Sequence, residues 1–367
     1  MAQKPRRTSA VEKKLVGVAD VVITAAQRRK DPTLAIPVRS LSNVTFNQRN
    51  GLIEMGKRKQ ARSFFNVGMA KKFMQTVLVA DALCELQRAN LTTSLREIYY
   101  RTKHTIKNSH ENTLDTQDES DPLIEDLEVT LAALREELHV RAENAGSIVG
   151  PLVLADDGDR VDCARLGKGG YSVPSIVEPE YLEIRQCTAD FVLLVEKGTQ
   201  WNRLSEDKFW RTHNCVLLTG NGQPPRGVRR LARRLHDEKK LPVYVLVDND
   251  PWGFYIYSVM KQGSINLAYE SMRMAVPDAR FVGLSSFDKE KYALPNNVAI
   301  KMDDGDNNRA KQMLAYPWFK QARWQREIQE MVKSGQKFEL EALSRRGISF
   351  ITEEYLPKKL KDRDWLE

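Results

Sequence analysis

The chain has 367 residues, of which 41% are hydrophobic and 29% charged, and it carries a net charge of +8. This composition excludes a fibrous or disordered chain and fits two or three globular domains with cores of their own. The basic pI of about 9.2 favours a polyanionic partner, although a basic surface also serves solubility alone.

Residues 1–60 predict an N-terminal extension separate from the main body. Its first residues are charged and lack a continuous apolar segment, so we expect no secretory signal, no membrane span and a cytoplasmic protein. Residues 11–30 follow an amphipathic helical pattern, and Pro32 and Pro37 then extend the chain. That helix either docks a partner or packs on its own core. The scattered cysteines at 84, 163, 187 and 215 lack zinc-site spacing and predict reduced core residues.

Residues 61–147 predict a compact helical domain. A long helix is expected over 61–88, with an apolar stripe from Phe64 to Leu78, and another over 121–144. Between them, residues 103–122 are polar and rich in turn formers, which predicts an exposed loop.

The helix before this loop carries two adjacent tyrosines, in TTSLREIYYRTK at 92–103. Ser94, followed three residues later by Glu97, predicts a helix start. Arg96 then lies one turn before Tyr100 on the same face. Most such pairs place one ring in the core and the other on the surface, so the pattern alone does not assign chemistry to Tyr99 or Tyr100.

Residues 148–187 contain glycines and prolines typical of strands and turns leading into a sheet. Two apolar runs follow, FVLLVEKG at 191–198 and VYVLVDNDPWG at 243–253, and both predict buried parallel strands. Glu196 ends the first run, and Asp248 and Asp250 end the second. Chemistry in open α/β sheets lies beyond the carboxyl ends of such strands, and these oxygens suit a hard cation such as Mg²⁺.

Each of these acids is also compatible with a simple cap or turn role. The Asp-x-Asp spacing favours the metal interpretation, because it points two carboxylates to one side of an extended chain. That arrangement is costly unless a cation or a proton compensates the charge.

The segment GNGQPPRGVRRLARRL at 220–235 lacks the Gly-Lys-[Ser/Thr] ending of a nucleotide-binding loop. Its helical pattern buries Val228, Leu231, Ala232 and Leu235 on one face. We expect the arginines of this segment to lie outside this face, where they are either exposed to solvent or bind DNA phosphates. These arginines are Arg226, Arg229, Arg230, Arg233 and Arg234.

The order of a strand ending in Glu, a second strand and helix, and a strand ending in Asp-x-Asp resembles the Toprim domain of topoisomerases and primases. Together with SLREIYY, the chain from about residue 60 resembles the A subunits of DNA topoisomerase VI and their meiotic double-strand-break relatives. The resemblance extends through VDCARLGKGGYSVPS, LAYPWF and TEEYLPKKL.

The resemblance implies an α+β multidomain fold. A winged-helix domain at 61–147, like that of the catabolite activator protein, is followed by a connecting segment at 148–187 and an α/β Toprim domain with a C-terminal elaboration at 188–367. It implies Tyr100 as the nucleophile, Arg96 as its assistant, and Glu196, Asp248 and Asp250 as the Mg²⁺ ligands.

The implied partners are double-stranded DNA, a second copy of this chain in a homodimer, and a GHKL-type ATPase B subunit that binds the ATP, forming a heterotetramer in the nucleoid. Residues 11–30 are then the docking helix for the B subunit. The implied function is DNA cleavage and rejoining within an ATP-dependent type IIB topoisomerase. A break-forming transesterase without a dedicated ATPase and a non-catalytic DNA-binding scaffold are the alternatives.

Overall fold

The computed structural model describes residues 8–367, which divide into two compact units. Within that range, unit 1 comprises residues 8–43 and 55–143, and unit 2 comprises residues 44–54 and 144–367.

The helices are α1 (Ala10–Gln27), α2 (Val67–Ala89), α3 (Leu95–Thr102), α4 (Gln117–Leu131), α5 (Gly198–Glu206), α6 (Phe209–Thr212), α7 (Arg226–Lys239), α8 (Pro251–Gln262), α9 (Ser271–Met274), α10 (Asp288–Lys291), α11 (Asp304–Ala315), α12 (Ala322–Ser334) and α13 (Leu356–Lys361).

The strands are β1 (Thr33–Pro37), β2 (Val44–Asn47), β3 (Leu52–Met55), β4 (Lys59–Ser63), β5 (Thr93–Ser94), β6 (Val140–Arg141), β7 (Ser147–Val149), β8 (Leu152–Asp156), β9 (Asp159–Asp162), β10 (Tyr171–Ser172), β11 (Leu182–Cys187), β12 (Phe191–Val195), β13 (Cys215–Thr219), β14 (Val243–Leu246), β15 (Arg280–Gly283), β16 (Ile300–Lys301) and β17 (Gln336–Lys337).

Unit 1 is mainly helical, and its first helix belongs to its core. Leu15 and Val18 of α1 are buried in the same apolar cluster as Phe73 and Leu83 of α2. The expectation that this first helix stands apart from the main body is therefore wrong. Strand β1 also pairs with β4 in an antiparallel ribbon that spans the predicted boundary at residue 60.

Three helix limits in unit 1 differ from the sequence expectation. Helix α2 begins only at Val67, after strand β4 and an Asn66 cap, so Phe64 lies outside it and is exposed. Helix α4 ends at Leu131 because Ala132 adopts a left-handed conformation with a φ of 44°. The loop before α4 is shorter than predicted, because that helix already begins at Gln117.

Unit 2 contains a six-stranded sheet in the order β10-β7-β13-β12-β14-β15. Strand β12 is parallel to both β13 and β14, and β14 is parallel to β15. The two predicted apolar runs are therefore neighbouring parallel strands, and their side chains are almost fully buried, as expected for strands covered on both faces.

A separate antiparallel sheet in the order β11-β8-β9 precedes the parallel core. It lies within the predicted strand-and-turn segment at 148–187. Of the four cysteines, Cys84, Cys163 and Cys215 are buried and Cys187 is partly buried, and all four are free thiols.

Candidate active site

The predicted acids of unit 2 lie at one edge of the parallel sheet. Val195 of β12 is in register with Leu246 of β14, so the two strands end level with each other. Glu196 follows the first strand directly and Asp248 lies two residues beyond the second. The Glu196 amide also donates to the Leu246 carbonyl at 2.9 Å, which extends the ladder to the acid itself.

Glu196 and Asp248 are in direct contact. The backbone amide of Asp248 donates to Glu196 Oε2 at 3.2 Å. The amide of Leu340 donates to Asp248 Oδ1 at 2.7 Å, and Asp248 is only 7% exposed. The C-terminal segment around Leu340 therefore forms one wall of the acid cluster.

Asp250 caps helix α8. Its Oδ1 accepts a hydrogen bond of 2.5 Å from the Gly253 amide. A Cβ at Gly253 would lie 2.4 Å from the Asp248 carbonyl, so glycine lets the helix start close to the acids. The cap role considered from the sequence thus holds for Asp250, and it leaves its second carboxylate oxygen free of this bond.

Burial and mutual repulsion disfavour ionisation of these acids. Burial, followed by the negative charge of Asp248, raises the pKa of Glu196 to about 7. Burial raises the pKa of Asp248 to about 6 against the opposing effects of the Leu340 amide and Lys197. Burial also raises the pKa of Asp250. The cluster therefore holds more negative charge than its surroundings stabilise, a condition that a cation relieves.

Lys197 supplies part of the missing positive charge. Its Nζ lies 3.1 Å from Asp248 Oδ2, 3.1 Å from Glu339 Oε2 and 2.7 Å from Glu341 Oε2. These carboxylates hold the pKa of Lys197 above its usual value in spite of burial.

The three acids offer the carboxylate oxygens that Mg²⁺ prefers. In residues 8–367, however, no group of three or more acidic, histidine or cysteine side chains has the arrangement of a metal site. Lys197 contacts one oxygen of Asp248, and the Leu340 amide donates to the other. The donor set and the excess charge fit Mg²⁺.

The tyrosine pair lies in unit 1 on helix α3. Ser94 caps this helix by accepting a hydrogen bond from the Glu97 amide at 3.2 Å. Tyr99 is 8% exposed, whereas Tyr100 is 61% exposed. The pair therefore has one internal ring and one surface ring, and Tyr100 is the tyrosine open to a substrate.

Arg96 lies one turn before Tyr100, as the helical spacing predicted. Its guanidinium carbon is 6.0 Å from the centre of the Tyr100 ring. This geometry places a permanent positive charge beside the exposed phenol. A role for Arg96 in holding a phosphate near the Tyr100 hydroxyl stays a prediction.

The arginines of α7 depart from the sequence expectation. Arg229 and Arg234 are each 2% exposed, so the expectation that all five lie outside is wrong for these two. Arg234 donates to the carbonyls of Val177 and Leu182 at 2.5 Å. The reason is that segments outside the predicted apolar face also cover the helix, and arginine satisfies their carbonyls.

The other three arginines of α7 also have partners within unit 2. Arg226 pairs with Glu270 at 2.6 Å, Arg230 with Glu178 at 2.8 Å and Arg233 with Asp237 at 2.6 Å. Contact of Arg226, Arg230 or Arg233 with DNA therefore stays a prediction and requires these pairs to be shared or exchanged.

The sequence interpretation missed Lys197, Glu339 and Glu341. The position of Lys197 directly after Glu196 was a usable signal, because a residue next to a predicted ligand lies at the same sheet edge. No local pattern connects Lys197 with Glu341, which is 144 positions away in the chain.

Comparison with known proteins identifies families that share this combination of elements. Residues 191–360 match the Toprim domain shared by the A subunit of topoisomerase 6 and by Spo11, residues 71–140 match the type IIB DNA topoisomerase family, and residues 142–188 match the all-beta domain of the DNA topoisomerase VI alpha subunit. The A subunit of type 2 DNA topoisomerase 6 from Pyrococcus horikoshii is 40% identical, with 98% of this chain and 97% of that protein covered.

The chain belongs to the family of topoisomerase VI A subunits. The corresponding protein of Aeropyrum pernix is 39% identical, with 95% of this chain and 92% of that protein covered. The A3 subunit of DNA topoisomerase 6 from Oryza sativa subsp. indica is 36% identical, with 91% of this chain and 74% of that protein covered. The likeness predicted from the SLREIYY, Glu and Asp-x-Asp motifs is therefore confirmed.

The matched regions follow the described architecture. The Toprim match contains the parallel strands β12 to β15 and the acid cluster, and the type IIB match contains α3 with its two tyrosines. Separately, none of the helices in residues 8–367 combines the length and the apolar character required to cross a bilayer.

Proposed function

We propose that this chain is the DNA cleavage and rejoining subunit of an ATP-dependent type IIB topoisomerase. The observation that carries the proposal is the exposure of Tyr100 beside Arg96 in a member of the family of topoisomerase VI A subunits. An exposed phenol next to a guanidinium is suited to attack a phosphodiester whose charge the guanidinium attracts.

In the proposed reaction, the Tyr100 oxygen attacks the phosphorus of one DNA phosphodiester. The bond between phosphorus and the 3′ oxygen breaks, the phenol gives up its proton, and the 3′ oxygen leaves as a hydroxyl. One phosphodiester is thereby exchanged for one 5′-phosphotyrosyl ester. Because one phosphoester bond replaces another, the reaction is reversible. Attack by the 3′ hydroxyl on the phosphotyrosyl bond therefore reseals the strand without a ligase.

The side chains of Arg96 and the acid cluster have separate tasks in this proposal. Arg96 holds the phosphate against Tyr100 and offsets its negative charge. Glu196, Asp248 and Asp250 would hold Mg²⁺, which would supply positive charge to offset that of the phosphate and of the leaving 3′ oxygen.

Tyr100 belongs to unit 1 and the acids to unit 2. We propose that a homodimer builds each of its two sites from Tyr100 of one chain and the acids of the other, so that both DNA strands are cut. In this arrangement unit 1 contributes a winged-helix fold in residues 61–147, and residues 188–367 contribute the Toprim domain with its C-terminal elaboration.

Strand passage requires an ATPase, and we place it on a separate GHKL-type B subunit in a heterotetramer. Helix α1 is the proposed docking element. Leu15 and Val18 anchor it to unit 1, while Val21 and Ile23 remain about half exposed and offer an apolar surface to a partner. The assembly acts on double-stranded DNA in the nucleoid.

A reconstitution experiment tests this function. The purified chain alone should bind duplex DNA and relax no supercoiled plasmid. Addition of a type IIB B subunit with ATP and Mg²⁺ should produce relaxation. Joint substitution of Val21→Asp and Ile23→Asp should reduce relaxation more than DNA binding, because these side chains are about half exposed, whereas Leu15 and Val18 belong to the core. ATP-independent double-strand cleavage that does not change when a B subunit is added would favour the break-forming transesterase instead.

A further inference from the structure

The ammonium group of Lys197 is paired with Asp248, one of the three acids of the cluster. It contacts Asp248 Oδ2 at 3.1 Å, while Glu196 and Asp248 lie against each other. We propose that Lys197 is an internal counter-cation of the cluster and that it must release Asp248 before Mg²⁺ binds there. This inference rests on the proposed function, because it takes Mg²⁺ as the cation of the site.

The two oxygens of Asp248 differ in what they leave for a metal. The Leu340 amide occupies only one lone pair of Oδ1, and a carboxylate oxygen has a second lone pair to offer. At Oδ2, the Lys197 ammonium opposes a metal ion both by position and by charge. The lysine is therefore a competitor of the cation, whereas the Leu340 amide only orients the Asp248 carboxylate.

Lys197 has two further carboxylate partners besides Asp248. Glu339 and Glu341 also hold its Nζ, at 3.1 Å and 2.7 Å, and Thr199 fixes Glu341 through a hydrogen bond of 2.7 Å. After release, the ammonium keeps two carboxylate partners, so its charge is not left unpaired. This arrangement limits the cost of exchanging the lysine for a metal ion.

Exchange of Lys197 for Mg²⁺ predicts how removal of the lysine changes both the stability of the metal-free protein and its affinity for Mg²⁺. Without metal, removal of Lys197 leaves the carboxylates closer to unrelieved repulsion, so the metal-free protein becomes less stable. With Mg²⁺, the same removal eliminates the competitor and strengthens the negative field, so binding becomes tighter. A residue with only a structural role lowers stability without improving metal affinity.

The test uses the full-length protein, calorimetric titration with MgCl₂ alone, and thermal unfolding with and without Mg²⁺. Lys197→Met should bind Mg²⁺ about tenfold more tightly than wild type, because a positive charge that contacts one ligand oxygen is removed. Its metal-free melting temperature should fall by roughly 2–4 °C.

Lys359→Met is the matched control. Lys359 also bridges carboxylates, Asp288 at 2.8 Å and Asp364 at 2.9 Å, and none of these belongs to the acid cluster. This variant should lose stability and keep the Mg²⁺ affinity of wild type.

Glu341→Gln provides a second arm that leaves Lys197 and the three acids intact. With one tether neutralised, the ammonium depends more on Asp248, so Mg²⁺ should bind roughly threefold more weakly. The two variants should thus shift the affinity in opposite directions. If Lys197→Met does not fold, the Glu341→Gln arm decides alone.

The outcomes separate this inference from the proposed function. The role of Lys197 is overturned if Lys197→Met binds Mg²⁺ as tightly as wild type or more weakly, or if Glu341→Gln binds Mg²⁺ as tightly as wild type. In either case the proposed Mg²⁺ site is unaffected. Absence of any Mg²⁺ binding by the wild-type protein overturns the proposed metal role and this inference with it.

Discussion

The hydroxyl of Tyr99 donates a hydrogen bond of 2.8 Å to the backbone carbonyl of Asp115, and this bond ties helix α3 to the loop before α4. Lys103 donates to the same hydroxyl at 2.7 Å. Tyr99 is therefore a structural anchor. The ring of the adjacent Tyr100 packs against the Tyr99 ring, with their centres 5.0 Å apart, but it is exposed and lies near the Arg96 guanidinium.

This difference predicts opposite phenotypes for two substitutions that each remove one hydroxyl. Tyr100→Phe should abolish covalent attachment to DNA, because the nucleophilic oxygen is lost. Tyr99→Phe should retain attachment and lose about 1–2 kcal/mol of stability, because the hydrogen bonds to the Asp115 carbonyl and from Lys103 are lost. Trapped complexes on denaturing gels and thermal unfolding measure the two effects. Covalent adducts that persist in Tyr100→Phe would refute the assignment of the nucleophile.

Substitutions in the acid cluster should change DNA cleavage and protein stability differently. Glu196→Gln should suppress DNA cleavage and weaken Mg²⁺ binding, because a carboxylate ligand is lost. In the absence of metal, the same variant should be more stable by about 1–2 kcal/mol at pH 8, because a buried and poorly compensated charge is removed.

Asp248→Asn is the contrasting variant, because Asp248 is paired with Lys197 and accepts from the Leu340 amide. It should also lose cleavage, but it should stabilise the metal-free protein less than Glu196→Gln does at pH 8, because Lys197 and the Leu340 amide stabilise part of its charge and burial raises its pKa only to about 6. Cleavage that retains the Mg²⁺ dependence of wild type in both variants would remove these acids from the site.

The catalytic edge of the sheet was predictable because it depends on local patterns. A run such as FVLLV can bury itself only as a strand covered on both faces, and its next residue, Glu196, then lies at the strand end. The contact of Glu196 with Asp248 follows from the parallel register of two neighbouring strands. Lys197 and Glu341 meet only through the path of the C-terminal segment, which no periodicity encodes.

The position of the α7 arginines was predicted less well for a related reason. Helical periodicity identifies the face that Val228 and Leu231 bury, but not whether other segments cover the flanks of that face. Here residues 177–182 cover one flank, and Arg234 donates to their carbonyls. An arginine can be buried where carbonyls meet its five donors, so charge alone did not indicate exposure.

Glu178 predicts how part of unit 2 responds to acid. Arg230 binds its two oxygens at 2.8 Å and 2.9 Å, and Arg273 binds one of them at 2.6 Å. Although burial alone would raise the pKa of Glu178, these guanidinium groups lower it. The stability that this carboxylate contributes is therefore present above the unfolded pKa of about 4.3 and is lost as the pH falls through the lower folded value.

Glu178→Gln tests this linkage. The variant should be less stable than wild type by about 1.5–3 kcal/mol at pH 7, because charged hydrogen bonds are replaced by neutral ones. The difference should shrink as the pH is lowered below about 4. Glu183→Gln, at an exposed acid of the same region, is the control and should show little difference at either pH. A gap between Glu178→Gln and wild type that is constant with pH would contradict the linkage.

Helix α7 allows DNA contact to be separated from folding, because its arginines differ in burial. Arg234→Met should lower stability by about 3 kcal/mol or more, since Glu238 and the two carbonyls lose a buried partner. Arg233→Ala should cost less, about 1–2 kcal/mol, because the Asp237 side chain of its ion pair is 45% exposed and the remaining loss is one bond to the Ala275 carbonyl. If Arg233 binds a DNA phosphate, as predicted from the sequence, its removal should reduce the slope of log DNA affinity against log salt concentration by about 0.9. Duplex binding measured across a salt series decides the point, with Arg185→Ala as an exposed ion-pair control. A slope identical to that of wild type would leave Arg233 with its intrachain partners alone.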